Sequence, residues 1–152
     1  MGDTRTAQDI MAQEVIILNT SQSLEEAFKI LEKNKISGAP VVNQENKAVG
    51  VISQADLLKH AFAGPFFDFA ADSFYIGFPF VQGQTFESFT ERLREVLVED
   101  AMSPHVLTVS PEDSVSTIAN EMRQNKVHRI LVEKDNQIVG IVTTFDLLKV
   151  LA

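Results

Sequence analysis

GVISQADLLK at Gly50 to Lys59 and GIVTTFDLLK at Gly140 to Lys149 are one stretch used twice. Each opens with a Gly and two β-branched or apolar residues, reaches Ser53 or Thr143, and three positions later places Asp56 or Asp146 ahead of an LLK run. The pattern predicts a strand, a tight turn and a helix. One explanation of the hydroxyl and the acid is a capping box, in which Ser53 or Thr143 caps the helix and the acid reaches back to the cap's own backbone. The other begins from the same geometry. A helix N-terminus has unpaired N–H groups and partial positive charge that suit a phosphate, and a carboxylate nearby can accept two hydrogen bonds from a ribose diol. A cap tolerates several residue types, so the same hydroxyl, Asp and Gly in both copies favour the second explanation.

The repeat extends beyond these segments. At an offset of 91, Asp9, Met11, Val15, Ser23, Asn34, Lys35 and Val41 meet Asp100, Met102, Val106, Ser114, Asn125, Lys126 and Val132. A one-residue deletion in the second turn then changes the offset to 90, which aligns Val49, Gly50 and Asp56 with Val139, Gly140 and Asp146. A unit of about fifty residues is marginal alone, so the two copies are expected to pack on each other in one globule.

In chain order, Thr6 to Met11 reads as a short helical lead, with Thr6 or Asp9 available as a cap, and Val15 to Leu18 as a short strand. Ser23 caps a helix whose Leu24, Ala27, Phe28 and Leu31 share one face. Asn34 and Lys35 end it. Ile36 to Val42 leads through SGAP into a second strand, where Gly38 and Pro40 suit either a turn or the close approach of a flat base. Polar residues Asn43 to Asn46 join Ala39 to Val42 and Ala48 to Ser53 in an antiparallel hairpin. The second copy repeats the plan: Val106 to Val109 is a strand, and Ser114 caps a helix with Val115, Ile118, Ala119 and Met122 facing inward. Each repeat is strand, helix, strand, strand, helix, a mixed α/β (α+β) class.

These features together resemble the tandem cystathionine-β-synthase (CBS) domain pair, or Bateman module. The resemblance is carried by DIM and DAM before the first strands, by SLEEAFKILEKNKISGAPVV against SVSTIANEMRQNKVHRILVE, and by the two G-h-h-[ST]-x-x-D endings. It implies two β-α-β-β-α repeats packed as a pseudo-twofold pair. The expected division is residues 1–60 for the first repeat, 61–90 for an insertion and 91–152 for the second repeat. KVHRILV looks like the His-Arg segment of nucleotide-sensing pairs such as those of AMP-activated kinase γ subunits, where these positions contact phosphate. Lys126, His128 and Arg129 stand where the first repeat has Lys35, Ser37 and Gly38, so the copies differ most in charge there. A solvated basic edge is the plain alternative; as a site, Arg129 serves as a phosphate fork and His128 as a second donor.

The resemblance also implies ligand clefts. Each combines the first strand of one repeat with the [ST]-x-x-D end of the other, so that Ile16, Arg129, Thr143, Thr144 and Asp146 form one and Leu107, Ser53 and Asp56 the other. Gly38, Ala39 and Pro40 border the base, and His128 and Ile130 flank Arg129. The implied ligand is an adenine nucleotide, AMP, ADP or ATP, acting as a regulatory ligand with no required cofactor. S-adenosylmethionine, NADH or a cyclic dinucleotide are further family ligands. Pairs of this kind commonly associate two by two, so a homodimer is expected, with Leu57, Leu58, Leu147 and Leu148 on the contact helices. A regulated enzyme on another chain is the implied partner. The rival function is a ligand-free scaffold that regulates an enzyme through its insertion.

Between Phe62 and Phe89 lie nine of the 11 Phe residues and the sole Tyr, Tyr75, interrupted by Gly64, Pro65, Gly77, Pro79 and Gly83. Linkers are usually polar, so this composition predicts an ordered, folded-back insertion. A docking surface or a lid is the alternative. From Thr85, the spacing of Phe86, Phe89, Leu93, Val96 and Leu97 predicts an amphipathic helix.

Composition narrows the function. The 152 residues are 45% hydrophobic, enough for one sizeable core, and no apolar run approaches a membrane span. The absence of Cys excludes disulfides, thiolate catalysis and Cys-based zinc sites. No signal peptide is recognisable, and a cytoplasmic protein with no membrane partner is expected. MGDTRT formally matches the N-myristoylation pattern, a single short match. Net charge of −8 argues against non-specific nucleic-acid binding, so any anion site must be locally basic. His60, His105 and His128 lack metal-ligand spacing, and no nucleophile elbow or Walker loop occurs. The two Asp residues are symmetric, which suits twin binding sites better than an acid and base pair, and no enzymatic activity is expected.

Overall fold

The computed structural model describes residues 3–61, 74–75 and 93–152. In chain order the elements are α1 (Ala7–Ile10), β1 (Leu18–Asn19), α2 (Leu24–Asn34), β2 (Gly38–Val42), β3 (Ala48–Ser53), α3 (Gln54–Ala61), α4 (Val98–Ala101), β4 (Thr108–Val109), α5 (Val115–Asn125), β5 (Arg129–Lys134), β6 (Gln137–Thr143) and α6 (Thr144–Lys149). They build two three-stranded sheets of the same topology, β1-β2-β3 and β4-β5-β6, each with one parallel and one antiparallel pairing. The mixed α/β class expected from the sequence is present.

The hairpins explain the slip in the repeat. Five residues, Asn43 to Lys47, join β2 to β3, with Asn43 Oδ1 accepting the N–H groups of Glu45 and Lys47, both at 3.0 Å. Asp135 and Asn136 alone join β5 to β6, and both have positive φ, 52° and 66°. Two central left-handed residues make the turn whose twist matches its flanking strands, and Asn and Asp tolerate that conformation.

Ser23 and Ser114 cap α2 and α5 by accepting the N–H of Glu26 and Thr117, each at 3.1 Å. Leu24, Ala27 and Leu31 of α2 are buried with Leu18, Val41 and Ile52; Ile118 and Met122 of α5 are buried with Ile130, Val132 and Val142. Ala119 was expected to face inward but is exposed: it occupies the place of half-buried Phe28 with a side chain too short to reach the core. The first strands are also shorter than their β-branched runs. β1 pairs only Leu18 with Val41 and Asn19 with Val42, and β4 only Thr108 with Leu131 and Val109 with Val132, so Val15 to Ile17 precede the ladder. This lets Pro40 sit within a strand flanked on both sides, because β1 never reaches it.

Two compact units contain these sheets. One holds the described residues of Ile16–Phe74 and Phe78–His105; the other holds those of Met1–Val15, Tyr75–Gly77 and Val106–Ala152. Each sheet is therefore extended by the lead of the other repeat. In the first-sheet unit, Val51 and Ser103 exchange two backbone hydrogen bonds of 2.9 and 2.8 Å. In the second-sheet unit, Ala12 and Ile141 do the same at 2.9 and 3.0 Å. The repeated Gly makes these approaches possible. A Cβ at Gly50 would lie 2.5 Å from the Ser103 carbonyl oxygen and 2.7 Å from Met102 Sδ, while one at Gly140 would collide with Met11 Sδ and lie 3.1 Å from the Ala12 oxygen. The Met of DIM and of DAM each fills a notch left by the glycine it meets.

Most of the Phe-rich insertion and the expected helix through Phe86 and Phe89 lie outside the described residues. Leu93 is buried in the first-sheet core, but the expected helix does not continue through Val96 and Leu97: residues 94–96 form a turn and bend, and extended Leu97 bridges to Ser23 instead. No helix among the described residues is long and apolar enough to cross a membrane.

Gly50→Ala should cost about 1–3 kcal/mol, since overpacking against a backbone carbonyl cannot be relieved by a side-chain rotation. Gly140→Ala should cost less, because the atoms it meets most closely belong to the flexible Met11 side chain. Urea unfolding of both variants checks the order; equal losses would contradict the notch packing.

Candidate functional site

Each β-strand that ends in Ser53 or Thr143 runs directly into a helix, and the capping box is formed in both repeats. Asp56 Oδ2 accepts the Ser53 N–H at 2.8 Å and its hydroxyl at 3.1 Å, and the Asp56 N–H donates to Ser53 Oγ at 3.3 Å. Asp146 Oδ2 accepts the Thr143 N–H and hydroxyl at the same two distances, 2.8 and 3.1 Å. The box uses one carboxylate oxygen. A carboxylate has about four lone-pair positions, so capping does not exclude a further donor. Asp56 Oδ1 accepts no hydrogen bond from the described residues, whereas Asp146 Oδ1 takes Lys149 Nζ at 3.4 Å.

Backbone contacts hold the approach to each box. The Gln54 N–H donates to the Ser37 carbonyl at 2.8 Å, and the equivalent Thr144 N–H donates to the His128 carbonyl at 2.9 Å, joined there by the Thr144 hydroxyl at 3.1 Å. Register does the rest. Gly38 lies opposite Ser53, and Arg129 lies opposite Thr143, so the residue that differs between the repeats stands beside the box in each.

The second-sheet unit thus brings together His128, Arg129, Ile130, Thr143, Thr144 and Asp146, with Leu107 entering β4 alongside. His128 is exposed and Ile130 is fully buried in the core. Arg129 is partly buried, and desolvation pulls its guanidinium down to about 10, against a smaller opposing influence of Tyr75. It remains a cation at neutral pH.

The first-sheet unit brings together Gly38, Ala39, Pro40, Ser53 and Asp56, and Ile16 belongs to the same unit. Gly38 makes close approaches here. A Cβ on it would stand 2.6 Å from the Ile52 carbonyl oxygen and 3.1 Å from Phe74 Cδ1. The flat ring beside Gly38 is the chain's own.

Tyr75 was not among the residues expected at the site. Its carbonyl accepts the His128 N–H at 2.7 Å, and its hydroxyl accepts the Leu107 N–H at 2.8 Å. Burial raises the phenol above its ordinary range, and the side chain is only 4% exposed. The signal available in the sequence was a lone Tyr in a run of Phe, the only ring there with a polar handle.

Known proteins fit this geometry. The family model of the CBS domain matches residues 7–63 and 98–152. The chain belongs to the CBS domain family. An uncharacterized protein of Methanocaldococcus jannaschii, MJ1426, is 30% identical over 99% of this chain and 93% of its own length. The chain spans 42% or less of several other curated relatives. Among solved structures, the CBS domain of a CBS domain containing membrane protein from Sphaerobacter thermophilus is similar with a TM-score of 0.74 and 33% identity, covering 98% of this chain and 89% of that one. CBSX2 in complex with AMP is similar with a TM-score of 0.67 and 23% identity, covering 97% and 96%. The two matched segments are the two repeats, and each contributes one of the sheets.

Burial sets the chemistry of the first CBS box. Desolvation raises the Asp56 carboxyl from 3.8 to about 6, opposed by the Ser53 hydrogen bonds. Below pH 4 the group is protonated folded and unfolded alike; between about pH 4 and 6 the unfolded chain ionises first. Stability therefore falls as pH rises through that window, by about 3 kcal/mol for this group. Asp56→Asn should lack this fall. Urea titrations of both proteins at pH 4 and 7 measure it, and a wild-type-minus-variant difference that does not change with pH would contradict the buried carboxyl.

Proposed function

We propose that the chain is a regulatory binding module that senses an adenosine-containing ligand, AMP, ADP or ATP, and transmits its occupancy to a partner protein. The observation that carries this reading is Arg129. A guanidinium that has lost part of its hydration and stands beside the Thr143–Asp146 box gains by pairing with an anion, and its planar fork matches a phosphate. The Asp146 carboxylate of that box supplies an acceptor for a ribose hydroxyl. Support from outside the chain comes from CBSX2, a protein of the same fold solved with AMP.

Within this proposal the site of the second-sheet unit uses Arg129, Thr143, Thr144 and Asp146 with Leu107, and that of the first-sheet unit uses Ser53 and Asp56 with Ile16. Ile16 and Leu107 each fall in the unit opposite to the one expected of them. Gly38, Ala39 and Pro40 border the base, while His128 adds a phosphate donor and Ile130 supports Arg129 from the core. The clefts are unequal, because Gly38 leaves the first repeat without a cation where the second has Arg129. The role is regulatory, with no reaction assigned to these residues. The place of action within the proposal is the cytoplasm, and the regulated enzyme is a separate chain.

Arg129→Ala should weaken AMP by about 10- to 100-fold at its cleft, as expected for a charged hydrogen bond of roughly 1.5–3 kcal/mol, and adenosine far less. Asp146→Ala should weaken both. Isothermal calorimetry with the two ligands checks this. Equal losses for AMP and adenosine on removing Arg129 would remove the phosphate assignment.

A homodimer completes the proposal. Leu57 and Leu147 point into their own cores, so they are not the contact expected of them; the exposed apolar residues at the second repeat's end are Phe145, Leu148 and Leu151, at 77, 52 and 82% exposure. Their association would bury surface that is costly in water. Sedimentation equilibrium should give twice the 16.9 kDa chain mass, and Phe145→Lys together with Leu148→Lys should give the monomer.

A further inference from the structure

We infer that Tyr75 is a built-in competitor for the nucleotide, its phenol ring filling a slot for a flat heterocycle in the second-sheet unit. The inference rests on the nucleotide reading above and names how that site is controlled. Three observations support it. The phenol oxygen accepts the Leu107 N–H at 2.8 Å, the bond that a ring nitrogen of a purine would take from the same donor. The Tyr75 carbonyl takes the neighbouring His128 N–H at 2.7 Å, so one residue holds both backbone edges of the slot. The ring is 4% exposed, and the residue its carbonyl holds, His128, is the immediate neighbour of Arg129.

The preceding residue makes the same kind of contact in the other repeat. Phe74 is 1% exposed and its ring would lie 3.1 Å from a Cβ on Gly38, the residue that aligns with Arg129 at the repeat offset of 91. Consecutive residues therefore meet the two sheet units near aligned places, Phe74 at Gly38 and Tyr75 at His128, the neighbour of Arg129. Phe74 has no polar atom on its ring, so only Tyr75 copies the hydrogen bond of a heterocycle. A nucleotide entering its slot must break the Leu107 bond and move the ring, and its affinity is reduced by the fraction of molecules in which the slot is filled.

The chain has one Tyr and no Trp, so its near-ultraviolet fluorescence reports Tyr75 directly. Calorimetry with AMP on wild type, Tyr75→Phe and Tyr75→Ala is combined with acrylamide quenching of wild type with and without AMP. Tyr75→Phe keeps the ring and loses the hydroxyl; it should bind AMP about 2- to 10-fold tighter, the equivalent of one net hydrogen bond. Tyr75→Ala should bind tighter still. Saturating AMP should make Tyr75 more accessible to acrylamide. Binding by the variants but not by wild type would support the competitor in its strongest form. Unchanged or weaker AMP binding by both variants, with Tyr75 still shielded, would overturn the competitor and leave the nucleotide reading standing. If no form binds AMP, both fail together. Should Tyr75→Ala not fold, as judged by circular dichroism, Tyr75→Phe and the quenching measurement decide.

Discussion

The fit of a methionine into the notch of a glycine is the contact on which the rest of this architecture rests. Met102 against Gly50 and Met11 against Gly140 bring a lead segment close enough to a β-strand for paired backbone hydrogen bonds, Ser103 with Val51 and Ala12 with Ile141. Those bonds satisfy strand-edge groups that would otherwise be left open. The strand so covered is the one that ends in the capping box. Its position, and with it that of Asp56 or Asp146, follows from how closely the lead can approach.

Above this shared scaffold the two repeats diverge in chemistry. Their caps and helix ends agree to the point that Lys35 and Lys126 both close their helices in the left-handed conformation, with φ of 53° and 56°. The difference is concentrated where Gly38 faces Arg129 across the alignment. A glycine there admits a ring and offers no charge; an arginine offers charge and is itself partly desolvated. Lys149 adds to the contrast by pairing with Asp146, an ion pair that is partly exposed and worth little on its own. Scaffold is repeated because packing admits few solutions, while the aligned position of Gly38 and Arg129 is free to vary because neither belongs to a core cluster.

Much of this was legible in the sequence, for identifiable reasons. Helices α2 and α5 announced themselves by Ser caps and apolar spacing, and the hairpins by polar turns between β-branched runs. The alignment of Arg129 with Gly38 also followed from spacing, whereas the capping box was one of two readings the spacing allowed, and the less favoured one, yet it is formed in both repeats. Strand lengths did not follow: β1 and β4 begin only at Leu18 and Thr108 although their parallel partners reach back to Gly38 and Arg129, and nothing in Val15 or Val106 marks that late start. The Met pair was visible as part of the repeat, but its role as a knob depends on which strand it meets, and that strand belongs to the other repeat. Tyr75 was hidden for a similar reason: its bonds go to the backbone of Leu107 and His128, far along the chain, and backbone donors leave no mark in a sequence.

The exchange of leads also orders assembly in time. A chain emerging from the ribosome completes the first-sheet unit once His105 is available, while its opening segment, Met11 included, has no glycine notch to enter until β6 has been made. Met11 and Gly140 must then find each other, a closure of long sequence separation and so a slow one. A single ancestral repeat would have met the matching notch only on a second copy. Duplication within one chain converts that encounter between molecules into an internal one, which makes its concentration a property of the sequence.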